Sequence, residues 1–131
     1  MYGAGAGRSG MSEQAICGSE DVREAEGVLA TVDGVEVGVF RVRGALVAYE
    51  NRCRHQGGPV CTGAILGRLE AVLGPGGTIV EERFSESELH LVCPWHGWEY
   101  DLATGECSAD RRIRLRSFPV LERDGRIWVT L

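Results

Sequence analysis

Hydrophobic and polar positions alternate along this chain in short runs separated by turn dipeptides, a period of two that belongs to strands. Residues 28–32 and 35–42 flank Asp33-Gly34, a pair that accepts the positive φ angles of a two-residue hairpin turn. Arg43-Gly44 repeats the turn and leads into residues 45–49. Near the end, residues 117–122 and 126–131 flank Asp124-Gly125 in the same way. Only residues 19–26 carry a weak helical periodicity. The pattern predicts an all-β domain built from small antiparallel sheets.

Two segments are less regular. Residues 68–73 and 78–83 bracket Gly74-Pro75-Gly76-Gly77, which predicts an elongated or inserted β-hairpin over about 68–83. Residues 111–116 alternate after the first, predicting a strand with Ile113 and Leu115 inward and Arg112, Arg114 and Arg116 outward. That face reads as an ordinary solvated one, the other reading being a basic stripe that meets an acidic partner. Residues 1–15 read as a flexible Gly-rich tail and residues 16–131 as one domain. Gly5 to Gly10 fits the G-x-G-x-x-G dinucleotide pattern, but only four residues precede it, too few for the strand that such a site needs.

Charge and length narrow the function. The chain has 131 residues and a formal net charge of −5, with no long basic segment, which argues against nucleic acid as a partner. No apolar run reaches membrane-spanning length and no export signal is apparent, so no membrane association and a cytoplasmic location are expected. Two of the five cysteines fall in the motifs described next; Cys17, Cys61 and Cys107 then read as reduced thiols, Cys61 as a small apolar residue.

The chemistry concentrates in Cys53-Arg54-His55 and Cys93-Pro94-Trp95-His96. A Rieske centre replaces two of the four thiolates of an iron–sulfur cluster with imidazoles on one iron, so it needs two Cys and two His, and each motif supplies one of either. The competing reading is a structural Cys2His2 zinc site, a zinc-stabilised interaction module, although a Cys and His one residue apart and the long separation between the motifs do not match usual zinc spacings. His90 is the only other histidine and is assigned no role. With His55 and His96 committed, a second iron held by two histidines and a carboxylate cannot be assembled, so no catalytic residue is expected and the chain is expected to act as a component of an oxidoreductase system, not as an enzyme by itself.

The flanking residues sharpen the picture. Residues 50–59, with Gly57-Gly58-Pro59 after the first motif, and 93–105, with Gly97-Trp98-Glu99-Tyr100-Asp101 in the second, resemble the cluster loops of Rieske ferredoxins and of the Rieske domains of ring-hydroxylating oxygenases. The likeness runs from about Gly27 to Leu131. It implies one Rieske-type [2Fe-2S] cluster in a cluster-binding part at about 50–108, with Cys53 and Cys93 on the inner iron and His55 and His96 on the outer one. It also implies one-electron transfer, from a flavin-dependent reductase to a terminal oxygenase. The alternative is a non-catalytic Rieske subunit of another oxidoreductase, such as assimilatory nitrite reductase.

Four departures from Rieske patterns stand out. The segment between the motifs is longer than in its ferredoxins, and Glu106 to Arg111 lacks the proline-bearing loop that often covers the cluster. Respiratory Rieske proteins brace their loops with a disulfide, but Trp95 stands where one of its cysteines would be, leaving packing and hydrogen bonds to hold the loops here. The Ser and Tyr that donate hydrogen bonds to the cluster in those proteins correspond to Trp98, which has no hydroxyl, and Tyr100, which has one. A potential in the lower part of the roughly −150 to +300 mV Rieske span is therefore expected.

Overall fold

The computed structural model describes residues 13–131, so the tail expectation for residues 1–12, the glycine pattern included, lies outside the described residues. Among the described residues, nine strands form three three-stranded antiparallel sheets: β1 (Glu13–Gly18), β9 (Arg126–Thr130) and β8 (Val120–Arg123); β2 (Gly27–Val32), β3 (Val35–Val42) and β4 (Ala45–Glu50); and β5 (Ala64–Leu73), β6 (Ile79–Val92) and β7 (Glu99–Asp101). Among the described residues the only helical elements are short 3-10 turns, one of them, Ser19–Asp21, in the segment with weak helical periodicity.

One compact unit comprises residues up to Asn51 together with Arg116–Leu131. It holds the first two sheets around a core of Val22, Val32, Val37, Val39, Ala48, Phe118, Ile127 and Val129. Its turns form where Asp-Gly or Arg-Gly stands: Asp33, Gly34, Arg43, Gly44, Asp124 and Gly125 all have positive φ, the geometry that matches the twist of the paired strands. Two expectations are corrected. The boundary at residue 15 falls inside β1, which is held by its ladder to β9 and not by any strong pattern of its own. The strand expected at 117–122 narrows to Val120–Arg123, because Pro119 has no N–H to give the ladder and Ser117 makes only an isolated bridge to Tyr49.

The other unit, Arg52–Leu115, contains the third sheet and both candidate loops. The hairpin expected at 68–83 is the outer half of a longer ribbon, since β5 and β6 pair from Ala64 opposite Val92 to Leu73 opposite Ile79. β7 pairs only with residues 90–92 of β6, so the outer ribbon is two strands wide and leaves Leu73, Ile79, Val80 and Phe84 in solvent. The expected strand over 111–116 is not formed. Its alternation survives in burial, with Leu115 buried and the arginines exposed, but the backbone makes only a turn, from Ile113 N–H to Asp110, and an isolated bridge of Arg114 to Glu106. Nor is the basic stripe unpaired: Arg112 meets Asp110 at 3.0 Å, Arg114 meets Glu106 at 2.7 Å, and Arg116 lies over the Phe118 ring.

Candidate metal centre

The two motif loops share one backbone device despite their different Cys-to-His spacing. In the first, Cys53 N–H donates to the Gly58 carbonyl at 2.8 Å and Gly57 N–H donates to the Cys53 carbonyl at 2.9 Å. In the second, Cys93 N–H donates to Trp98 at 2.8 Å and Gly97 N–H donates to Cys93 at 3.1 Å. The offsets from each cysteine are the same, and so is the need for glycine: Gly57 and Gly97 both turn with positive φ, at 77° and 72°. A side chain at Gly58 has no room either, since a Cβ there would stand 2.8 Å from the Trp95 ring and 3.0 Å from the Cys93 sulfur.

These turns sort the four candidate ligands by depth. Cys53 and Cys93 are 3% and 2% exposed, whereas His55 and His96 face solvent with their rings edge-to-face, centroids 5.1 Å apart. Burial pushes the Cys93 thiol up; the Trp95 backbone N–H opposes that, and the neighbouring Cys53 adds to it. Tyr100, fully buried on β7, places its hydroxyl 3.1 Å from the Cys53 sulfur. The Arg54 N–H donates to that same oxygen at 3.0 Å, which leaves the phenolic O–H available to donate to a Cys53 thiolate. Burial first, and then Cys53, hold the Tyr100 phenol well above its usual range. Of the two tryptophans, Trp95 is 50% exposed, while Trp98 is partly buried and stacks on His55.

Sequence reasoning missed the groups that brace the second loop. His90 is buried, consistent with a structural histidine, but both its ring nitrogens reach carboxylates: Nε2 to Glu88 at 2.7 Å and Nδ1 to Glu99 at 2.8 Å. The His90 hydrogen bond, ahead of the charges of Arg68 and Arg111, holds the Glu88 carboxyl below its ordinary range. Arg111 in turn meets Glu88, Asp101 and Glu106, each at 3.4 Å, so β6, β7 and the following turn are tied together next to Cys93. Glu88 and His90, two apart on one strand, were the available signal, but Glu99 and Arg111 come from other segments. Cys61 and Cys107 are buried and Cys17 is partly buried.

The donor set fits a binuclear centre better than a single ion. A buried pair of thiols behind an exposed pair of imidazoles suits two irons of unlike ligation, one held by thiolates and one by imidazoles. Residues 12–119 match the Rieske [2Fe-2S] domain. The chain belongs to that family. It is all-β, carries a Rieske-type [2Fe-2S] cluster and works in electron transfer.

Its relatives set the scale of what is shared. An oxidoreductase of Pseudomonas putida, NdmD, is 30% identical over 126 residues, 88% of this chain but 18% of its own length. A human Rieske domain-containing protein is 30% identical over 129 residues, covering 86% of this chain and 70% of that one. In fold, the small subunit of a putative NADH-dependent nitrite reductase from Mycobacterium tuberculosis superposes with a TM-score of 0.67 at 20% identity, over 92% of this Rieske chain and 96% of that one. Among the described residues, no helix is long and apolar enough to cross a membrane.

Proposed function

We propose that this chain is a cytoplasmic one-electron carrier that holds its cluster through Cys53, His55, Cys93 and His96 and passes electrons from a flavin-dependent reductase to a terminal oxygenase. The observation that carries the reading is the sorting by depth: both thiols are buried and both imidazoles are exposed. When bound, the cluster supplies a store for a single electron. The protein's own residues do the rest. Cys53 and Cys93 anchor the centre in a dry interior, while His55 and His96 present ring edges at the surface, where an acceptor can approach closely. Arg54 and Gln56 flank His55 in solvent and form part of the rim a partner would meet.

Tyr100 tunes the affinity for the electron. Its hydroxyl donates to the Cys53 sulfur, and a donated hydrogen bond favours the more negative, reduced state. Tyr100→Phe is expected to lower the potential by some tens of millivolts, on the order of the ~59 mV that a tenfold change in a one-electron equilibrium represents. Protein-film voltammetry measures it, and an unchanged potential would remove Tyr100 from the account.

The test of the carrier role is kinetic. Charge reversal at Arg54, Arg54→Glu, is expected to change the bimolecular rate of oxidation by the oxygenase component roughly tenfold at low ionic strength, leaving the spectrum of the centre intact and losing the effect in high salt. A wild-type rate in that variant would place the docking surface elsewhere. A second reading, a non-catalytic subunit of an oxidoreductase such as nitrite reductase, draws on the whole-length likeness to the small subunit described above. The two part on purification: a carrier is isolated free, a subunit with a large catalytic chain.

A further inference from the structure

His55 stands on the first loop, but the side chain that lies flat against its imidazole comes from the second. The Trp98 ring stacks on it with centroids 4.5 Å apart and planes inclined by 8°. His96 meets the same imidazole edge-on, at an interplanar angle of 78°. Trp98 is itself well anchored. Its carbonyl accepts the Cys93 N–H at 2.8 Å, it follows two residues of positive φ, His96 and Gly97, and it leads directly into β7. The plane of one candidate ligand is thus set by a rigid turn of the opposite loop.

We propose that Trp98 is the positioning residue of His55, and that the face of its indole holds the reduction potential of the centre down. The inference rests on His55 being a ligand of the outer iron. An aromatic face is the negative side of its quadrupole and interacts best with the more positive of two states. An imidazole bound to iron shares the metal's positive charge, and uptake of one electron reduces that charge. The stack is therefore stronger in the oxidised form, and removing it favours reduction. Tyr100, two residues further on, acts with the opposite sign on the buried side, where its hydroxyl faces the Cys53 sulfur. These two rings, set two residues apart at the start of β7, would bias the same centre from its exposed and its buried end.

The experiment compares the intact, cluster-loaded protein with Trp98→Leu and Trp98→Phe by film voltammetry and by pulsed EPR of the reduced state. In Trp98→Leu the potential is expected to rise, and the nitrogen coupling of one histidine to change while that of the other stays. Trp98→Phe keeps a smaller ring face and is expected to shift the potential upward by less. An unchanged or lowered potential in Trp98→Leu overturns the proposal, and so does an equal shift in the two variants, which would assign the effect to bulk and not to the ring. If Trp98→Leu assembles no centre, Trp98→Phe decides alone: a raised potential with one altered histidine coupling supports the proposal, and an unaltered potential defeats it. Failure of the ligand reading is seen separately, as a Rieske signal that survives His55→Ala.

Discussion

In His55→Ala and His96→Ala the visible absorption and the EPR signal of the dithionite-reduced protein are expected to fall to background, with iron and labile sulfide well below the two of each expected per wild-type chain. Alanine offers no donor, and each proposed outer ligand is exposed, so water would reach the vacated coordination position at once. No substitute stands by: His90 is buried with both nitrogens engaged by Glu88 and Glu99. The core of the Gly27–Glu50 sheet and the β1-β9-β8 sheet contains neither histidine, so that unit should keep its circular dichroism while the colour is lost. A normal Rieske signal in either variant would remove that histidine from the ligand set.

Gly63→Ala is expected to cost on the order of 3 kcal/mol and to loosen the second loop, although Gly63 is neither a ligand nor a residue of positive φ. A Cβ at this position would stand 1.8 Å from the Val92 carbonyl oxygen and 2.8 Å from its carbon. Both are backbone atoms, which no rotamer change can move aside, and Val92 directly precedes Cys93. Relief requires β5 and β6 to part where Ala64 pairs with Val92. Gly34→Ala is the control: open space surrounds its Cβ, and only the positive φ opposes it, at about 1 kcal/mol. Denaturant unfolding with the rate of cluster release measures both. A Gly63→Ala protein as stable as wild type would show that the strands separate there at little cost.

What was legible in the chain was local. Asp33-Gly34, Arg43-Gly44 and Asp124-Gly125 announce hairpins because a two-residue turn demands positive φ, and glycine with its neighbour meets that demand without outside help. The paired Cys and His motifs are legible for a related reason, since few chemistries ask for those donors at those spacings. A further signal was available and went unread: a glycine four residues after each cysteine, Gly57 and Gly97, marks the same turn in both loops.

Other features depended on partners distant in sequence. β1 has no strong alternation and is a strand because β9 accepts it. Residues 111–116 alternate as a strand does, yet they pair only through an isolated bridge between Arg114 and Glu106, and Arg112 and Arg114 are held by Asp110 and Glu106. The length of the β5–β6 ribbon follows from pairing that runs through Ala64 and Val92, well beyond the Gly-Pro-Gly-Gly signal.

The sequence by itself determined the all-β class, the turns and the candidate donor set, because glycine conformation, strand period and ligand chemistry are properties of single residues and near neighbours. Only the tertiary structure decided that the thiols are buried and the imidazoles exposed, that the Tyr100 hydroxyl meets the Cys53 sulfur, that His90 is clamped between two carboxylates, and that Trp98 lies on His55. Each of these joins groups from different strands or loops, and such contacts take their geometry from chain packing that no local pattern encodes.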